Sequence, residues 1–501
     1  MGSRHSLLYL FQSRKMMPLL MLGFYSGLPL FLTSRTLQLW MQDAKVDLGA
    51  ITLFGLVSLP YSLKFIWSPL LDRFHPPFLG LRRGWLALTQ IGLALAIGVM
   101  ALQHPSQNSQ VLQVLAVNTL IIAFLSATQD IAGDAYRTEI LEPQEREMGA
   151  SVWVFGYRVA LFATSSMALV LADFIPWNIV YGQIAILMAL GVGATLWAPK
   201  LIQPQNSPAT AALSVRDILF ILLIGLVVTA LLGGVIAGSI PLPIFYWVLA
   251  SLLIGWIAIA LLIPEHWLTQ GTTEQSPQSL QDAVILPLRD FFQNFGLPKG
   301  GTILVFILLY KLGDALVGIT GNLFLRELTF SKAEIGAIQG GMGFLATTVG
   351  VLLGGVILTK IGTYRGLWVF GALQLVSNLG YYALALTGKD YSLLVLAINI
   401  ENFCAGLVTV VTVAFLMSLC THRFTTTQFA LFSSLMAIGR DVLSAPAGDI
   451  AKATGWPVFF LITLVAAIPG LLLLPIVAPW NAKVSSQAAN SLPLDRKDSH
   501  P

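Results

Sequence analysis

The sequence predicts an all-α polytopic membrane protein: fourteen transmembrane helices, arranged as two six-helix bundles with a two-helix hairpin inserted between them. Three observations carry this. Of 501 residues, 56% are hydrophobic and only 10% are charged, with mean hydropathy +0.78, whereas soluble domains carry about 25% charged residues. Apolar runs of about 20 residues, the length that crosses a bilayer as a helix, recur fourteen times. A weak internal repeat then places similar short blocks in the same order in both halves of the chain.

In order, the expected spans cover residues 16–41, 49–70, 85–102, 112–136, 149–172, 178–198, 217–238, 243–263, 302–325, 333–358, 366–386, 391–420, 427–449 and 457–479. Pro29, Pro60 and Pro446 fall inside spans, which membrane helices tolerate as kinks. With the N-terminus placed in the cytoplasm, 18 of the 28 Lys and Arg residues fall in cytoplasmic loops and 5 outside, so both termini are expected to be cytoplasmic. The basic start, residues 1–17, lacks a short apolar core with a cleavage site and is expected to be retained. The charge of +4 is spread over these loops and does not point to nucleic acid. Cys404 and Cys420 fall in one expected helix, about 24 Å apart at the helical rise, too far to pair.

The expected organisation is a first six-helix bundle over 1–198, a central region over 199–301, a second six-helix bundle over 302–480 and a disordered cytoplasmic tail over 481–501. Trp67-Ser68-Pro69-Leu70-Leu71-Asp72-Arg73 followed by Arg82-Arg83-Gly84 matches Gly354-Gly355-Val356-Ile357-Leu358-Thr359-Lys360 followed by Tyr364-Arg365-Gly366. Gly156-Tyr157-Arg158 matches Gly439-Arg440, and Asp130 matches Glu401 in the fourth span of each half. Such repeats are related by an axis along the membrane normal. The hairpin, 217–263, has no charged residue between Ile218 and Ile263 and is expected on the lipid-facing outside, lining nothing. Residues 280–295 alternate apolar and polar faces and are expected to lie along the membrane surface.

The sharpest functional signal is Asp130 and Asp134, at the end of the apolar run 111–137. Residues four apart share a helix face. A charge inside the membrane costs roughly 2.5–3.5 kcal/mol on insertion scales, so such a face turns inward and serves proton relay or substrate passage. Asp130 is the first candidate proton carrier, because a buried carboxyl that changes sides can gain and lose a proton. Asp134 is a weaker one, since it lies nearer the surface and has an interfacial salt bridge to Arg137 or a loop base as its competing role. Glu401 is the candidate in the second half, with a helix-packing hydrogen bond as its competing role.

Five bases fall within spans: Arg35, Lys64, Arg158, Lys311 and Arg440. Lys64, Arg158, Lys311 and Arg440 are candidate contacts for an anionic cargo, the Arg residues because their fork grips a carboxylate at two points. Arg158 and Arg440 have a gate salt bridge as their competing role. Lys311 and Asp314 are three apart and suited to pair. Arg440 and Asp441, being adjacent, are expected to point apart and to need separate partners. Gln129, Tyr310, Asn402 and Gln428 are candidate sugar-binding groups, with packing as the competing role for the aromatic. Gly23 and Gly27 form a small-xxx-small pair expected to let helices approach closely, and Gly340, Gly341 and Gly343 are expected to do likewise.

The loop Asp72-Arg73 to Arg82-Arg83 resembles the signature between spans two and three of the major facilitator superfamily, where such a loop latches one conformation. The spacing is stretched by His75-Pro76-Pro77-Phe78. Further blocks keep their order: Gly23-Phe24-Tyr25-Ser26-Gly27-Leu28-Pro29, Lys64-Phe65-Ile66-Trp67-Ser68-Pro69, Gln129-Asp130-Ile131, Tyr310-Lys311-Leu312-Gly313-Asp314-Ala315, Glu401-Asn402 and Thr427-Gln428-Phe429-Ala430-Leu431. Together, over residues 8–198 and 280–480, they resemble the AmpG family of muropeptide permeases. The resemblance implies the major facilitator fold, alternating access, and proton-dependent import of anhydromuropeptides (N-acetylglucosamine joined to anhydro-N-acetylmuramic acid, with or without peptide) across the inner membrane. The Gln-Asp-Ile block is also similar to the acetyl-CoA transporter family, so acetyl-CoA or another anionic metabolite is the alternative cargo. Two departures stand against the family pattern: the extra helix pair sits between the halves rather than at the C-terminus, and Arg35 and Asp441 are charged.

A phosphate-cradling GxxxxGK loop is absent from the sequence, as are HExxH and GxSxG, which disfavours an ATP-driven pump or an intramembrane enzyme. A monomer with no cofactor and no metal, partnered by protons, a small-molecule substrate and the bilayer but not by nucleic acid, is the expectation. A sensor that keeps the fold without moving cargo is a further alternative.

Overall fold

The structure is a computed structural model, and it describes residues 13–46, 54, 59–74, 76–106, 108–201, 222, 225–227, 230, 231, 233, 234, 241–262, 280–421, 423–444 and 446–481. Much of the expected span 49–70, the first arm of the hairpin, 217–238, and the tail after residue 481 lie outside them.

The described helices run in order as α1 (Met16–Asp43), α2 (Leu59–Leu63), α3 (Ser68–Arg73), α4 (Leu81–Ala101), α5 (Ser109–Ile140), α6 (Pro143–Ala172), α7 (Trp177–Trp197), α8 (Leu242–Leu262), α9 (Leu280–Phe295), α10 (Leu297–Leu309), α11 (Leu312–Glu327), α12 (Gly336–Ile361), α13 (Thr363–Thr387), α14 (Tyr391–Leu419), α15 (Thr425–Ser444), α16 (Ala447–Thr454) and α17 (Trp456–Val477). Ten helical runs among the described residues are long and apolar enough to cross a membrane, counting α10 with α11 as one; the expected count of fourteen therefore exceeds what these residues show.

Capping fixes several ends. Asn108 Oδ1 accepts from Gln110 N at 2.9 Å at the start of α5, and Asp390 Oδ1 accepts from Leu393 N at 2.9 Å at the start of α14. Three spans contain a wider π turn, at Leu32–Thr36 in α1, Ala163–Met167 in α6 and Gly336–Met342 in α12. Near the first two, side-chain hydroxyls serve carbonyls one turn back: Ser34 Oγ donates to Leu30 O (2.7 Å) and Thr164 Oγ1 to Ala160 O (2.9 Å). In a hydrocarbon setting such carbonyls have to be served from within the protein.

Several expected spans are not continuous, among them 49–70 at Lys64–Trp67 and 366–386 at Asn378. The span 302–325 breaks at Tyr310–Lys311 between α10 and α11, where Lys311 leaves helical geometry (φ −110°, ψ 14°). The span 427–449 ends at Ser444, and Pro446 opens the separate α16 rather than kinking one helix, because proline has no N–H to continue the ladder.

Packing between helices relies on glycine where backbones nearly touch. A Cβ at Gly156 would stand 2.2 Å from Leu20 O, and one at Gly23 2.4 Å from Trp153 O, so α1 and α6 cross closely as the Gly23/Gly27 pair predicted. The expectation for Gly340 and Gly341 is corrected: nothing lies within 4 Å of their added Cβ. Gly350 and Gly406 make the α12–α14 approach instead, at 2.2 Å from Phe403 O and 2.4 Å from Thr347 O.

Two seams join the first set of helices to the second. In one, α6 packs on α12 and α14; in the other, α15 packs on α2, α3 and α5. The helix α8 lies outside the second seam, against α9 and α15. Its outer residues Trp247, Ile254 and Ile259 are exposed, while Trp256 stacks on Phe65 (5.8 Å) and donates to Val284 O (2.8 Å). The amphipathic α9 does not lay its apolar face on a membrane surface: Ala283, Ile285, Leu288 and Phe291 are buried as the helix packs against α3, α8, α10 and α15.

Candidate functional site

The candidate site is layered along the bundle axis, and the layers are counted from the end carrying the 74–80 loop, termed here the basic end. At that end lies a closed joint. Asp72, 2% exposed, accepts from Arg82 Nη2 at 2.9 Å through Oδ1, and its Oδ2 accepts from Thr427 N (2.9 Å) and Thr427 Oγ1 (2.7 Å). The partners are 355 residues apart in sequence, so Asp72 ties α3 to the first turn of α15, where the helix dipole favours an anion. Arg82 Nη2 also donates to Glu139 Oε1 at 2.7 Å. The other two expected latch residues work differently. Arg83 donates to Thr195 O (3.0 Å) and Leu196 O (2.8 Å), closing the carbonyl end of α7. Arg73 lies over Phe74, its guanidinium 5.7 Å from the ring. The first seam is tied at the same end: Ser151 Oγ donates to Val351 O (2.7 Å) and Thr363 Oγ1 to Glu147 Oε1 (3.0 Å).

Above this joint, about 9 Å up α5 at the helical rise, Asp134 accepts from Arg137 Nη2 at 2.8 Å and lies 3.7 Å from Lys64 Nζ. Arg137 is 2% exposed and sandwiched between Trp153 and Phe429, 5.0 and 5.3 Å from the ring centroids. The salt-bridge alternative for Asp134 is thus present. One turn higher, Asp130 accepts from Ser26 Oγ of α1. Lys64, Tyr61 and Tyr157 surround it within electrostatic range. Tyr61 Oη, Ser126 Oγ and both amide atoms of Gln129 are buried around this turn without a hydrogen-bond partner.

The third layer spans both halves. Arg158 lies about 18 Å up α6, Lys311 about 21 Å above the start of α10 and Glu401 about 27 Å up α14. Lys311 interacts electrostatically with Asp314, Arg158, Arg440 and Glu401, and Glu401 with Asp314, Lys311 and Arg158. All five are partly exposed or exposed, although they sit in mid-span. With Asp441, the partner of Arg440, three bases meet three acids here, as Lys64 and Arg137 meet Asp130 and Asp134 in the layer below. Asn402 Nδ2 donates to Glu401 Oε2 (2.9 Å), and its Oδ1 accepts from Thr347 Oγ1 (3.0 Å).

Three expectations are revised by the geometry. Arg440 and Asp441 do meet: Arg440 Nε donates to Asp441 Oδ1 at 2.7 Å with the arginine side chain 58% exposed, because a long flexible stem folds back at a surface where backbone direction does not decide contact. Tyr310 Oη donates to Leu367 O at 2.8 Å, holding the α10–α11 break against α13. Gln428 lies at the basic end: its Nε2 donates to Pro287 O (2.9 Å) and Asp290 Oδ2 (3.0 Å), and its Oε1 accepts from Thr421 N (2.7 Å), fastening α9 under α15. Ser26, Tyr61, Glu139, Thr427, Gln374 and Asn378 join these layers without having been singled out. Only Gln374 and Asn378 left a usable signal, two amides four apart within an apolar run.

Comparison with known proteins agrees with this architecture. A family model described as acetyl-coenzyme A transporter 1 matches residues 15–176. The anhydromuropeptide permease of Escherichia coli (strain K12) is 39% identical over 468 residues, 93% of this chain and 80% of the relative. A putative transporter AmpG 4 of Rickettsia felis is 29% identical over 470 residues, 93% and 97% of the two chains. Among solved structures, the human organic anion transporter TETRAN superposes with a TM-score of 0.58 at 16% identity, covering 92% of this chain and 99% of that one, which shows the shared major facilitator fold. From the helical bundle and the extent of these matches, the chain belongs to the AmpG family of muropeptide permeases within the major facilitator superfamily.

Proposed function

We propose that this chain is a proton-coupled secondary transporter that imports anhydromuropeptides by alternating access, for cell-wall recycling. The supporting observation is the third layer, in which Arg158 of the first half interacts with Lys311 and Glu401 of the second, and Lys311 in turn with Asp314 and Arg440. Three bases at mid-span, drawn from both halves, suit an anionic cargo held where the halves rock past each other. In this reading the cargo's carboxylates engage Arg158, Lys311 and Arg440, and its sugars meet Gln129 and Asn402. Tyr310 and Gln428 support the scaffold. Asp130 and Glu401 carry the proton, and Asp134, paired with Lys64 and Arg137, transmits the change of charge at Asp130 towards the basic end.

The joint at Asp72 and Thr427 closes the basic end, so the conformation suits loading from the opposite end. With the protein a monomer in the inner membrane and both termini in the cytoplasm, that is the direction of import. The chain acts as a carrier, without catalysis of its own.

The test is uptake of labelled N-acetylglucosaminyl-anhydro-N-acetylmuramyl peptide into proteoliposomes with an inward proton gradient. Accumulation that collapses on adding a protonophore is expected. Gradient-independent equilibration would remove the proton from the mechanism, and absence of uptake by folded protein would remove the cargo. The match over residues 15–176 to a family described as an acetyl-coenzyme A transporter favours acetyl-CoA as the second reading. Uptake inhibited by acetyl-CoA but unaffected by excess unlabelled muropeptide would decide for it.

A further inference from the structure

The first seam closes at the basic end by a close approach of two backbones. Among the described residues, Gly355 of α12 is the one glycine whose missing side chain is crowded from the other half. An added Cβ would stand 2.5 Å from Ser151 Oγ, and nearer still to Ser151 Cβ, on α6. The tight approaches at Gly23, Gly156, Gly350 and Gly406 each lie within one half. Ser151 is 1% exposed, and its hydroxyl donates to Val351 O, one turn before Gly355, at 2.7 Å. Glu147, one turn earlier on the same face of α6, accepts from Thr363 Oγ1 of α13 at 3.0 Å. A short stretch of α6 thus lies directly against the bare backbone of α12.

The internal repeat sets this contact beside its counterpart. In the first half Ser68 takes the place of Gly355, and Asp72 that of Thr359. The second seam therefore closes through an acid held by Arg82 and Thr427, whereas the first has no acid at that place and closes by proximity. Carbon atoms in contact sit about 3.5–4.0 Å apart. A methyl group at position 355 would push α6 and α12 apart by about 1 Å or more, taking the Ser151 hydroxyl out of hydrogen-bond range of Val351 O. Ser151 has no flexible end that could give way, because the conflict is with its Cβ, which is fixed to the backbone. Contacts within a half persist as the halves rock, but contacts across the basic end exist only while that end is closed. The steric cost of a side chain at 355 therefore falls on one conformation alone.

We propose that Gly355 is a steric gate: the bare backbone there permits closure of the basic end, and the size of residue 355 sets the balance between closed and open states. Resting on the alternating-access reading, the gate adds to it the residue that sets its conformational balance. Gly355 touches no cargo and acts through Ser151, so it is a positioning residue. Loading from the opposite end needs the closed state. A side chain at 355 therefore lowers the apparent affinity from that end by the closed fraction lost.

The experiment uses the full chain in proteoliposomes, with Cys404→Ala and Cys420→Ala as background and spin labels at Gln144→Cys and Lys360→Cys, two exposed positions flanking the seam. Pulsed electron resonance reads the ratio of short to long label distances, and uptake of labelled anhydromuropeptide is followed in parallel. Gly355→Ala, Ser151→Gly, the two together, and the control Gly350→Ala are compared with the background. Gly355→Ala is expected to lower the ratio about tenfold, as overpacking a tight contact does, and to reduce uptake with it. In the double variant the new methyl takes the room of the deleted Ser151 Cβ, so ratio and uptake should return to within about twofold of Ser151→Gly alone. Gly350→Ala, crowded only within its own half, should lower the melting temperature and leave the ratio unchanged. An unchanged ratio in Gly355→Ala, a shift that Ser151→Gly does not relieve, or an equal shift in Gly350→Ala overturns the gate. So does a Gly355→Ala chain that unfolds rather than opens, since its contact would then be needed in every state. If the background chain takes up no muropeptide while the ratios behave as expected, the cargo reading fails and the gate stands.

Discussion

The basic end and the middle of the bundle spend charge in opposite ways. At the basic end each carboxylate meets matched donors: Asp72 takes Arg82 and both donors of Thr427, and Arg82 is shared with Glu139. In the middle, Lys311 is shared electrostatically among Asp314, Glu401, Arg158 and Arg440 of both halves, and both amide atoms of Gln129 beside Asp130 stay unpaired. Fully satisfied buried polar networks hold one arrangement, whereas incompletely satisfied ones keep their need for a partner. The difference separates a lock, whose acids are matched although Arg73 Nε and Thr426 Oγ1 stay unpaired, from a working site that cargo or protons complete.

The contrast is broken most severely at Asp72. Asp72→Ala leaves Arg82 with Glu139 and the Leu71 carbonyl and strips both donors of Thr427 of their acceptor, and breaking such a buried pair costs about 3–5 kcal/mol. Part of that cost falls on the closed conformation alone, so thermal unfolding in detergent should drop and cysteine cross-linking between positions 151 and 351 should weaken. Loss of melting temperature with undiminished cross-linking would make Asp72 a support of the first half rather than a joint between halves.

In the middle the corresponding changes should spare stability and alter transport. Arg158→Ala is expected to weaken binding of carboxylate-bearing cargo by about 1.5–3 kcal/mol, the range for hydrogen bonds to charged groups, and to leave binding of the neutral disaccharide nearly unchanged. Equal losses for both ligands, measured by calorimetry, would assign Arg158 to gating. Asp130→Asn keeps the Ser26 hydrogen bond and removes the titration, so proton-driven accumulation should vanish while exchange persists. Full accumulation at neutral pH by that variant would remove Asp130 from the proton's path.

The same contrast explains what the sequence reveals. The fold is legible because hydrophobic length, glycine spacing and the side preference of Lys and Arg are local or additive signals. Asp130, Glu401 and the mid-span bases stand out for the same reason, since a charge in an apolar run is conspicuous in one dimension. Only one side of the lock is legible: the loop's resemblance to the superfamily signature marks Asp72 and Arg82 as a latch, but Thr427 is brought to Asp72 only by the packing of α3 on α15, and nothing near either residue encodes the other. Tyr310 and Gln428 have suitable chemistry for a sugar, yet their hydrogen bonds to Leu367 O and Pro287 O depend on where α13 and α9 pass. The amphipathic pattern of α9 is real, but periodicity states that a face is apolar and not whether lipid or protein covers it.

That helix also gives the smallest test. Trp256 Nε1 to Val284 O is a single hydrogen bond at the rim, between the inserted α8 and α9. Trp256→Phe removes the donor and keeps most of the ring against Phe65, so a loss of about 0.5–1.5 kcal/mol is expected, with transport unchanged at neutral pH. Below it, Asp290 accepts from Thr421 Oγ1 and Gln428 Nε2, and burial pushes its carboxyl above the ordinary carboxylate value. An acid raised in this way favours the folded state most where it is protonated, so the docking of α9 should loosen as pH rises from the ordinary carboxyl value through the raised one. Hydrogen exchange of the α9 amides in Trp256→Phe, followed from acid to neutral pH, reads both effects together. A protection factor, the rate relative to that of the free amide, that falls towards neutral pH would mark α9 as a strap whose hold is set at Asp290. A pH-independent protection factor would place its hold in the apolar face of Ile285, Leu288 and Phe291 alone.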